Sequence, residues 1–189
     1  MDWNQRYLEN DTPWDKGKPA PPLVEFLEKN SITGHVLIPG CGLGHDVRLL
    51  SQHGTKALGM DLSQQAIEQA QAIPSTGFIN YVKADFTKLP GHFHARFDWL
   101  FEHTLFCAIE PHNRSAYAAS AAQCLKAQGK FLAIFYLTPG ADSPPPYPSS
   151  QEEINTLFTP YFTILEKWQP TNAYPSREGK ELVFLMQKI

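Results

Sequence analysis

The amino-acid sequence predicts an α/β protein with a doubly wound, mostly parallel sheet of seven strands, of which the last is antiparallel. Three observations lead to this fold class. Short apolar runs alternate with helical patterns from residue 36 onward, as they do in parallel sheets buried on both faces. A glycine-rich turn follows the first apolar run. No repeat or long linker divides the chain, so residues 1–189 are expected to form one domain.

Each strand is expected at one of these apolar runs. In chain order the runs are 36–38, 57–60, 79–82, 97–101, 131–136, 162–167 and 181–186. A connection containing Pro and Gly separates the last two. Two strands after the fifth suit a mostly parallel sheet that is completed by an antiparallel hairpin.

Helical patterns fill three of the four intervals between the first five strands. Helices are expected to begin near His45 and near Ser63. A third is expected to begin at about Pro111, because proline suits a first helical turn. It should run to Lys126 and stop near Gly129, which we assign to the C-terminal cap.

A proline-rich loop at 138–148 interrupts the pattern, because a helix cannot pass through it. After this loop, two serines at 149–150 precede two glutamates by three positions, which predicts a capping box. We therefore expect a fourth helix that extends to about residue 158.

Composition and charge exclude several classes of protein. The net charge is −3 and no run of Lys or Arg forms a basic stripe, so nucleic acid is not an expected partner. No window approaches the roughly 20 apolar residues of a membrane-spanning helix, and the first residues do not resemble a signal peptide. The three cysteines are too widely spaced for a disulfide framework. We expect a cytoplasmic protein with no membrane partner. Since no apolar helix stripe requires a partner, it should be a monomer or a weak dimer.

The segment from Val36 to Asp46 runs from a strand through a glycine-rich turn into a helix. Gly40 and Gly42 allow the backbone to approach a ligand and to present its N–H groups, and the following helix N-terminus favours an anionic group. Cys41 lies inside this turn as a small side chain and is expected beside the same ligand. The alternative is that the glycines only form a tight turn between strand and helix.

Acidic side chains follow the next two strands. Asp61 ends the second strand, where a carboxylate accepts hydrogen bonds from ribose hydroxyls, and Leu62 follows it. Asp85 follows the third strand and is expected to accept a hydrogen bond from an adenine amino group while Phe86 packs against the ring. The alternatives are that Asp61 caps a helix, and that Asp85 forms a turn beside a core phenylalanine.

These features together predict an adenosine-containing cofactor. The glycine spacing is G-x-G-x-G, whereas dinucleotide-binding turns have G-x-G-x-x-G. The second half of the sequence also contains no evident pair of residues for hydride transfer. S-adenosylmethionine is therefore favoured over a nicotinamide dinucleotide, and S-adenosylhomocysteine would be its product.

Seven segments, which together span nearly the whole chain, resemble the thiol, thiocyanate and halide methyltransferases of the thiopurine methyltransferase superfamily. They are residues 3–7, 12–17, 38–46, 85–86, 106–111, 145–147 and 177–181. The proline before the glycine turn and the run Cys-Ala-Ile-Glu-Pro are typical of this group. The resemblance implies a Rossmann-like class I methyltransferase acting on a small-molecule acceptor: a thiol, hydrosulfide, thiocyanate or halide. A role in the detoxification of reactive sulfur species would follow.

The resemblance also implies that residues 1–20 lie over the cofactor, with Trp3 and Trp14 in contact with it. Exposed tryptophans in a polar segment are unfavourable, so both should cover either a cofactor or the core. Tyr7 stands where the family often has another tryptophan. At position 103, plant relatives have a tyrosine near the cofactor, whereas this chain has His103.

Three residues are candidates for catalysis on the acceptor side. His103 follows the fourth strand and could accept a proton near neutral pH; the alternative is that it only caps the strand. Tyr147 would either cover the acceptor or pack against the neighbouring prolines. Arg177 would bind a carboxylate or stabilise a thiolate, or else lie on the solvated surface. Glu102 is a candidate negative neighbour of the sulfonium.

No metal site is expected, because His92 and His94 have strand-like spacing but lack a third ligand. Two other functions stay open. One is methyl transfer to nitrogen or oxygen of a small metabolite, and the other is cofactor binding without catalysis. Product analysis would separate both from transfer to sulfur or halide.

Overall fold

The computed structural model describes residues 1–189. Its seven strands are β1 (His35–Pro39), β2 (Lys56–Asp61), β3 (Phe78–Lys83), β4 (Phe97–His103), β5 (Leu125–Tyr136), β6 (Phe162–Trp168) and β7 (Glu181–Lys188). Its six α-helices are α1 (Trp3–Leu8), α2 (Pro21–Lys29), α3 (His45–Gln52), α4 (Gln64–Ala72), α5 (Arg114–Cys124) and α6 (Gln151–Phe158). Each of the seven apolar runs lies within one of the strands.

The strands form one sheet in the order β3-β2-β1-β4-β5-β7-β6. Strands β1 to β5 pair in parallel, whereas β7 is antiparallel to both β5 and β6. The predicted fold class is therefore confirmed, including the antiparallel last strand. The order along the chain reverses between β1 and β4, and ligands of such sheets bind at this reversal, outside the carboxyl ends of the strands.

Two apolar layers cover the faces of the sheet. The layer beneath α5 and α6 is rich in aromatic rings that meet edge to face, namely Phe106, Tyr117, Phe131, Phe135 and Phe158. The layer beneath α2 and α3 is mainly aliphatic and contains Leu23, Leu27, Val36, Val47 and Leu50. Burial on both faces explains why the strands read as apolar runs rather than as alternating patterns. No helix combines the length and the apolar character that crossing a membrane requires.

The sequence analysis did not predict the two helices that precede β1. In α1, Asp2 Oδ1 accepts a hydrogen bond from the Gln5 backbone N–H at 3.0 Å and so caps the helix. In α2, two prolines occupy the first turn, where a backbone N–H would have no partner within the helix, so its absence costs nothing. Leu23 and Phe26 of this helix are buried against the sheet.

The predicted end of the helix after Pro111 is wrong. Helix α5 begins at Arg114, after a short 3-10 turn at 111–113, and ends at Cys124. Strand β5 then begins at once, so Lys126 and Gly129 lie within the strand. Phe97 pairs with Leu125 but Trp99 pairs with Lys130, which marks an irregularity in the ladder. Gly129 therefore serves a strand bulge and not a helix cap.

The capping signals at 149–150 predict helix α6 correctly. Ser150 is its N-cap, and the Ser150 Oγ accepts a hydrogen bond from the Glu153 backbone N–H at 3.2 Å. Glu153 also forms an ion pair at 2.6 Å with Arg114, whose side chain is almost fully buried. Arg114 donates a further hydrogen bond to the Pro148 carbonyl at 2.8 Å. These contacts fasten the proline-rich loop to α5 and α6.

Strand β1 begins directly after a tight turn at Gly34, whose φ is +82°. The neighbouring strand contributes Asp98, which accepts a hydrogen bond from the His35 backbone N–H at 2.8 Å and another from Lys126 Nζ at 2.6 Å. A Cβ atom at position 34 would collide with the Asp98 carboxylate. Both the backbone angle and the available space therefore require glycine.

The substitution Gly34→Ala is expected to lower the free energy of unfolding by about 1 kcal/mol more than Gly54→Ala does. Both glycines have positive φ, +82° and +88°, so both substitutions carry a similar backbone strain. Only Gly34 is crowded, because a Cβ atom at Gly54 would meet nothing within 4 Å. The additional loss is the hydrogen bond between Asp98 and His35. Urea denaturation of the two variants tests this, and equal losses would contradict it.

Candidate active site

A cavity of about 360 Å³ opens at the carboxyl ends of β1, β2 and β4. Its walls come from residues 3–14, from the ends of the strands, from the proline-rich loop and from residues 176–177. A smaller hollow of about 80 Å³ beside it is lined by the glycine turn and shares Tyr7, Trp14, Gly40 and His103 with the main cavity. The two form one site at the predicted edge of the sheet.

The glycine turn after β1 approaches its neighbours closely. Gly40 and Gly42 have φ of +63° and +50°. Added Cβ atoms would lie 2.8 Å from a Leu105 methyl group and 2.8 Å from the Tyr7 hydroxyl, respectively. Cys41 lines the smaller hollow, and burial keeps its pKa well above the usual thiol value, so it remains a neutral thiol. Contacts with Leu105 and Tyr7 therefore require glycine at positions 40 and 42, and Cys41 between them faces the smaller hollow.

Asp61 connects the end of β2 to the glycine turn. Its Oδ2 accepts a hydrogen bond from the Gly42 N–H at 2.9 Å, and its Oδ1 accepts one from the Ser63 N–H at 2.9 Å. Burial raises the pKa of this carboxyl, and the backbone hydrogen bonds oppose the rise. Ser63, not Asp61, is the N-cap of α4. Asp61 lines the cavity, and each of its oxygens retains capacity to accept a further hydrogen bond.

Asp85, Phe86 and Leu62 all line the same end of the cavity. The Asp85 Oδ1 accepts hydrogen bonds from the backbone N–H and the hydroxyl of Thr87, at 2.9 and 2.7 Å, so Asp85 also caps a short 3-10 turn. Phe86 is buried and packs edge to face against Tyr117. A turn-forming role for Asp85 and a core role for Phe86 are therefore compatible with their position at the cavity.

An aromatic cluster from the N-terminal segment forms one side of the cavity. Trp3 and Trp14 meet edge to face with ring centroids 5.3 Å apart, and Trp14 Nε1 donates a hydrogen bond to the Tyr7 hydroxyl at 3.2 Å. The Arg6 guanidinium lies 4.4 Å above the Trp14 ring. The carbonyl oxygen of the Asn4 side chain accepts hydrogen bonds from Ser63 and Gln65. These last contacts fasten α1 to the N-terminus of α4.

Four charged or titratable side chains meet at the other end of the cavity. His103, at the end of β4, has its Nδ1 3.6 Å from Asp46 Oδ2 and its Nε2 3.6 Å from Glu181 Oε1. The Arg177 Nη1 lies 3.2 Å from His103 Nε2 and 3.4 Å from Glu181 Oε1. Burial of the imidazole opposes its protonation, but the neighbouring carboxylates of Asp46 and Glu181 outweigh this and raise the His103 pKa.

Arg177 is not on the solvated surface. Only 12% of its side chain is exposed, and the guanidinium stacks over the rings of Tyr136 and Tyr174 at 5.3 and 5.6 Å. Both Arg177 and His103 line the cavity. One end of the site thus has Asp61 and Asp85, and the other has Arg177 and His103 side by side, with Asp46 and Glu181 next to them.

The structure places Glu102 outside the cavity lining, contrary to the expected position beside the sulfonium. Glu102 is fully buried, and its carboxylate accepts hydrogen bonds from the Tyr117 hydroxyl and from the backbone N–H groups of Leu105 and Phe106. Burial raises its pKa to about 7, against these hydrogen bonds. Its physical role is to brace the turn after β4, in which Thr104 has a φ of +60° and lines the cavity.

Tyr147 also lies outside the cavity lining. Its backbone N–H donates a hydrogen bond to the Cys107 carbonyl at 2.7 Å, which holds the proline-rich loop against the turn after β4. Pro145 and Pro146 line the cavity in its place. The loop therefore contributes to the site, but through the prolines that precede the tyrosine.

Sequence reasoning missed several residues of the cavity wall, namely Arg6, Thr104, Cys107, Ile109, Tyr136 and Ser176. The run Cys-Ala-Ile-Glu-Pro at 107–111 is typical of the family that the sequence resembles, and this run is the signal that could have indicated Cys107 and Ile109 as cavity residues. Burial raises the Cys107 pKa to about 12, so its thiol stays neutral. No group of three or more His, Cys, Asp or Glu side chains in the chain could hold a metal ion.

Comparisons with known proteins identify relatives of the whole chain. The family model for thiopurine S-methyltransferase (TPMT) matches residues 1–187. Thiocyanate methyltransferase 1 of Arabidopsis thaliana is 32% identical over 99% of this chain and 84% of its own length. Probable thiol methyltransferase 2 of the same plant is 30% identical over 84% of this chain and 71% of its own length. A 2-heptyl-1-hydroxyquinolin-4(1H)-one methyltransferase of Mycobacteroides abscessus is 25% identical over 88% of this chain and 75% of its own length.

Solved structures support the fold. One is a 1,6-didemethyltoxoflavin-N1-methyltransferase from Burkholderia thailandensis, solved with S-adenosylhomocysteine. Its TM-score is 0.73 at 20% identity, and the match covers 97% of this chain and 84% of that enzyme's chain. A SAM-dependent methyltransferase from Methanosarcina mazei has a TM-score of 0.74 at 17% identity, with coverage of 91% and 99%. Because the family model matches nearly the whole chain and the sequence relatives are methyltransferases, the chain belongs to the thiopurine S-methyltransferase family and is an S-adenosylmethionine-dependent methyltransferase.

Proposed function

We propose that this enzyme methylates a small acceptor that reacts as an anion, namely a thiol (as its thiolate), hydrosulfide, thiocyanate or a halide. All of these except the halide react through sulfur. The observation that carries the proposal is the pair Arg177 and His103, which lie 3.2 Å apart in the wall of a cavity with several apolar residues. Arg177 is always charged, and it faces the cavity beside a histidine while the Glu181 carboxylate lies behind both, so this end of the cavity favours an acceptor with a negative charge. The names of two plant relatives, a thiocyanate and a probable thiol methyltransferase, support the same class.

The residues at the opposite end fit S-adenosylmethionine. Asp61 and Asp85 offer carboxylate oxygens of the kind that accept hydrogen bonds from ribose hydroxyls and an adenine amino group. Gly40 and Gly42 place backbone in the wall of this site, and Trp3 and Trp14 also line it. In this proposal residues 1–20 cover the cofactor, and Cys41, Leu62, Phe86 and Tyr7 contribute to its pocket.

When bound, this cofactor supplies an electrophilic methyl group on a positively charged sulfur. The chain's own residues then have two tasks, which are to align an anionic acceptor with that group and to exclude water. Arg177 can donate hydrogen bonds to the acceptor because its guanidinium is always charged. A thiol acceptor must also ionise, and a neighbouring guanidinium lowers the pKa of a thiol.

Charge also accounts for product release. The methylated product of a thiolate, thiocyanate or halide is neutral, so it is no longer attracted by Arg177 and His103. Conversion of hydrosulfide into a neutral methylated thiol removes a reactive anion, which suits a detoxifying role in the cytoplasm. Arg177 and His103 should therefore bind the neutral product more weakly than the anionic acceptor.

A panel of acceptors tests the proposal. The protein is incubated with S-adenosylmethionine and hydrosulfide, thiocyanate, iodide, an aromatic thiol, a simple amine or a hydroxyquinolone, and products are identified by mass spectrometry. Methylated sulfur or halide is the expected result. Products from the amine or the hydroxyquinolone alone would replace the proposal by nitrogen or oxygen methylation. Binding of the cofactor with no product from any acceptor would indicate a non-catalytic module.

The substitution Asp61→Ala is expected to weaken S-adenosylmethionine binding about 10- to 100-fold, since hydrogen bonds to a charged group contribute about 1.5–3 kcal/mol. Isothermal titration calorimetry measures the change. Glu68→Ala on α4 is the matched control because Glu68 is exposed and lies outside the cavity. Affinity unchanged in a folded Asp61→Ala variant would remove the ribose-binding role.

The substitution Arg177→Met is expected to lower kcat/KM for thiocyanate about 10- to 100-fold, mainly through a higher KM, because a charge-assisted contact with the acceptor is lost. Arg177→Lys should recover part of this loss, since it keeps the charge but not the planar donor geometry. Lys167→Met, which removes an exposed cation on β6, is the control. An unchanged KM in Arg177→Met would show that the arginine does not bind the acceptor.

A further inference from the structure

Glu181 is a buried carboxylate directly behind the two cationic residues of the site. It is the first residue of β7 and is 2% exposed, and it does not line the cavity. Its Oε1 lies 3.4 Å from Arg177 Nη1 and 3.6 Å from His103 Nε2. Its Oε2 is buried without a hydrogen-bond partner. The carboxylate therefore has Arg177 and His103 to compensate its charge.

This arrangement limits the states that the cluster can adopt. Removal of one partner from a buried ion pair is costly because an uncompensated charge stays behind. A charged Glu181 thus holds Arg177 in place and favours a second positive charge on His103. Arg177 in turn keeps its charge throughout the neutral pH range.

His103 Nε2 has two competing partners. In a neutral imidazole it can accept a hydrogen bond from Arg177 Nη1, 3.2 Å away, whereas in an imidazolium it can donate to Glu181 Oε1. On the other side of the ring, Nδ1 faces Asp46 in α3, and the Tyr174 ring lies 5.7 Å from the imidazole. Glu181, on β7, therefore favours the protonated His103 imidazole, and Asp46 on the other side of the ring favours it as well.

We propose that Glu181 is a positioning residue for methyl transfer, which holds Arg177 in place and keeps His103 protonated so that both cations face an anionic acceptor. The proposal rests on the anionic acceptor proposed above. It does not require Glu181 to touch the acceptor. In this arrangement His103 acts as a cation toward the acceptor and not as a base.

The pH dependence has a definite sign. A raised His103 pKa means that the imidazolium is present below that pKa and is lost as the pH rises through it. Thiocyanate stays ionised throughout the neutral range, so its kcat/KM should fall as His103 loses its proton. Glu102, with a pKa of about 7, also titrates in this range. The protonation of His103 must therefore be measured directly, in addition to the activity.

The test compares Glu181→Gln with Glu178→Gln. The first substitution removes the charge of the buried carboxylate at nearly constant size, and the second removes an exposed carboxylate three residues earlier in the chain. The titration of the His103 ring is followed by NMR in the cofactor-free protein, with the signal assigned by its loss in His103→Asn. The midpoint is expected to move to lower pH in Glu181→Gln and to stay unchanged in Glu178→Gln. At pH 8, kcat/KM for thiocyanate should fall about tenfold in Glu181→Gln, mainly through KM.

An unchanged midpoint in folded Glu181→Gln would overturn the proposal, as would a lower kcat with an unchanged KM. If Glu181→Gln does not fold, Glu181→Met, which is also neutral and of similar length, is measured in its place. Absence of sulfur or halide products from the wild-type protein would refute the proposed function instead. The NMR titration does not depend on turnover, so the two failures are distinguishable.

Discussion

Three carboxylates are buried at the edge of the sheet where the cavity opens, and each fastens a different part of the site. Asp61 binds the glycine turn, Glu102 braces the turn that follows β4, and Glu181 lies against Arg177 and His103. Buried carboxylates require donors or cations, so the loops that supply these partners are held in place. Because β7 is antiparallel, its first residue lies at the same edge as the last residues of β2 and β4. One requirement, the compensation of buried charge, therefore shapes the whole cavity.

Local sequence patterns were sufficient to predict the sheet and one end of the site. Strands buried on both faces read as continuous apolar runs, and the glycine turn, Asp61 and Asp85 all follow such runs directly. Helix α2 was missed because the prolines in its first turn also indicate a loop, and α1 is only 6 residues long. Gly129 was assigned to a helix end because a glycine at a strand bulge and one at a helix cap look alike in sequence.

The other end of the site depends on contacts between distant parts of the chain. His103 and Arg177 were both candidates, but their contact with Glu181 follows from the pairing of β5 with β7, which no local pattern predicts. Tyr136 joins the cavity for the same reason. Glu102 and His103 are neighbours in one strand, and their side chains point to opposite faces of the sheet. The sequence did not indicate which of the two faces the cavity.

The walls of the cavity are made largely of segments that do not belong to the sheet. The aromatic cluster of residues 3–14, the prolines at 145–146 and the turn at 176–177 come from three separate connections. Surface connections tolerate changes in length and sequence far better than a packed sheet does. Evolution can therefore reshape the cavity one connection at a time while the sheet and the core stay intact. Such changes offer one scaffold a route to the different substrates for which the relatives are named, which are thiocyanate, a hydroxyquinolone and thiopurines.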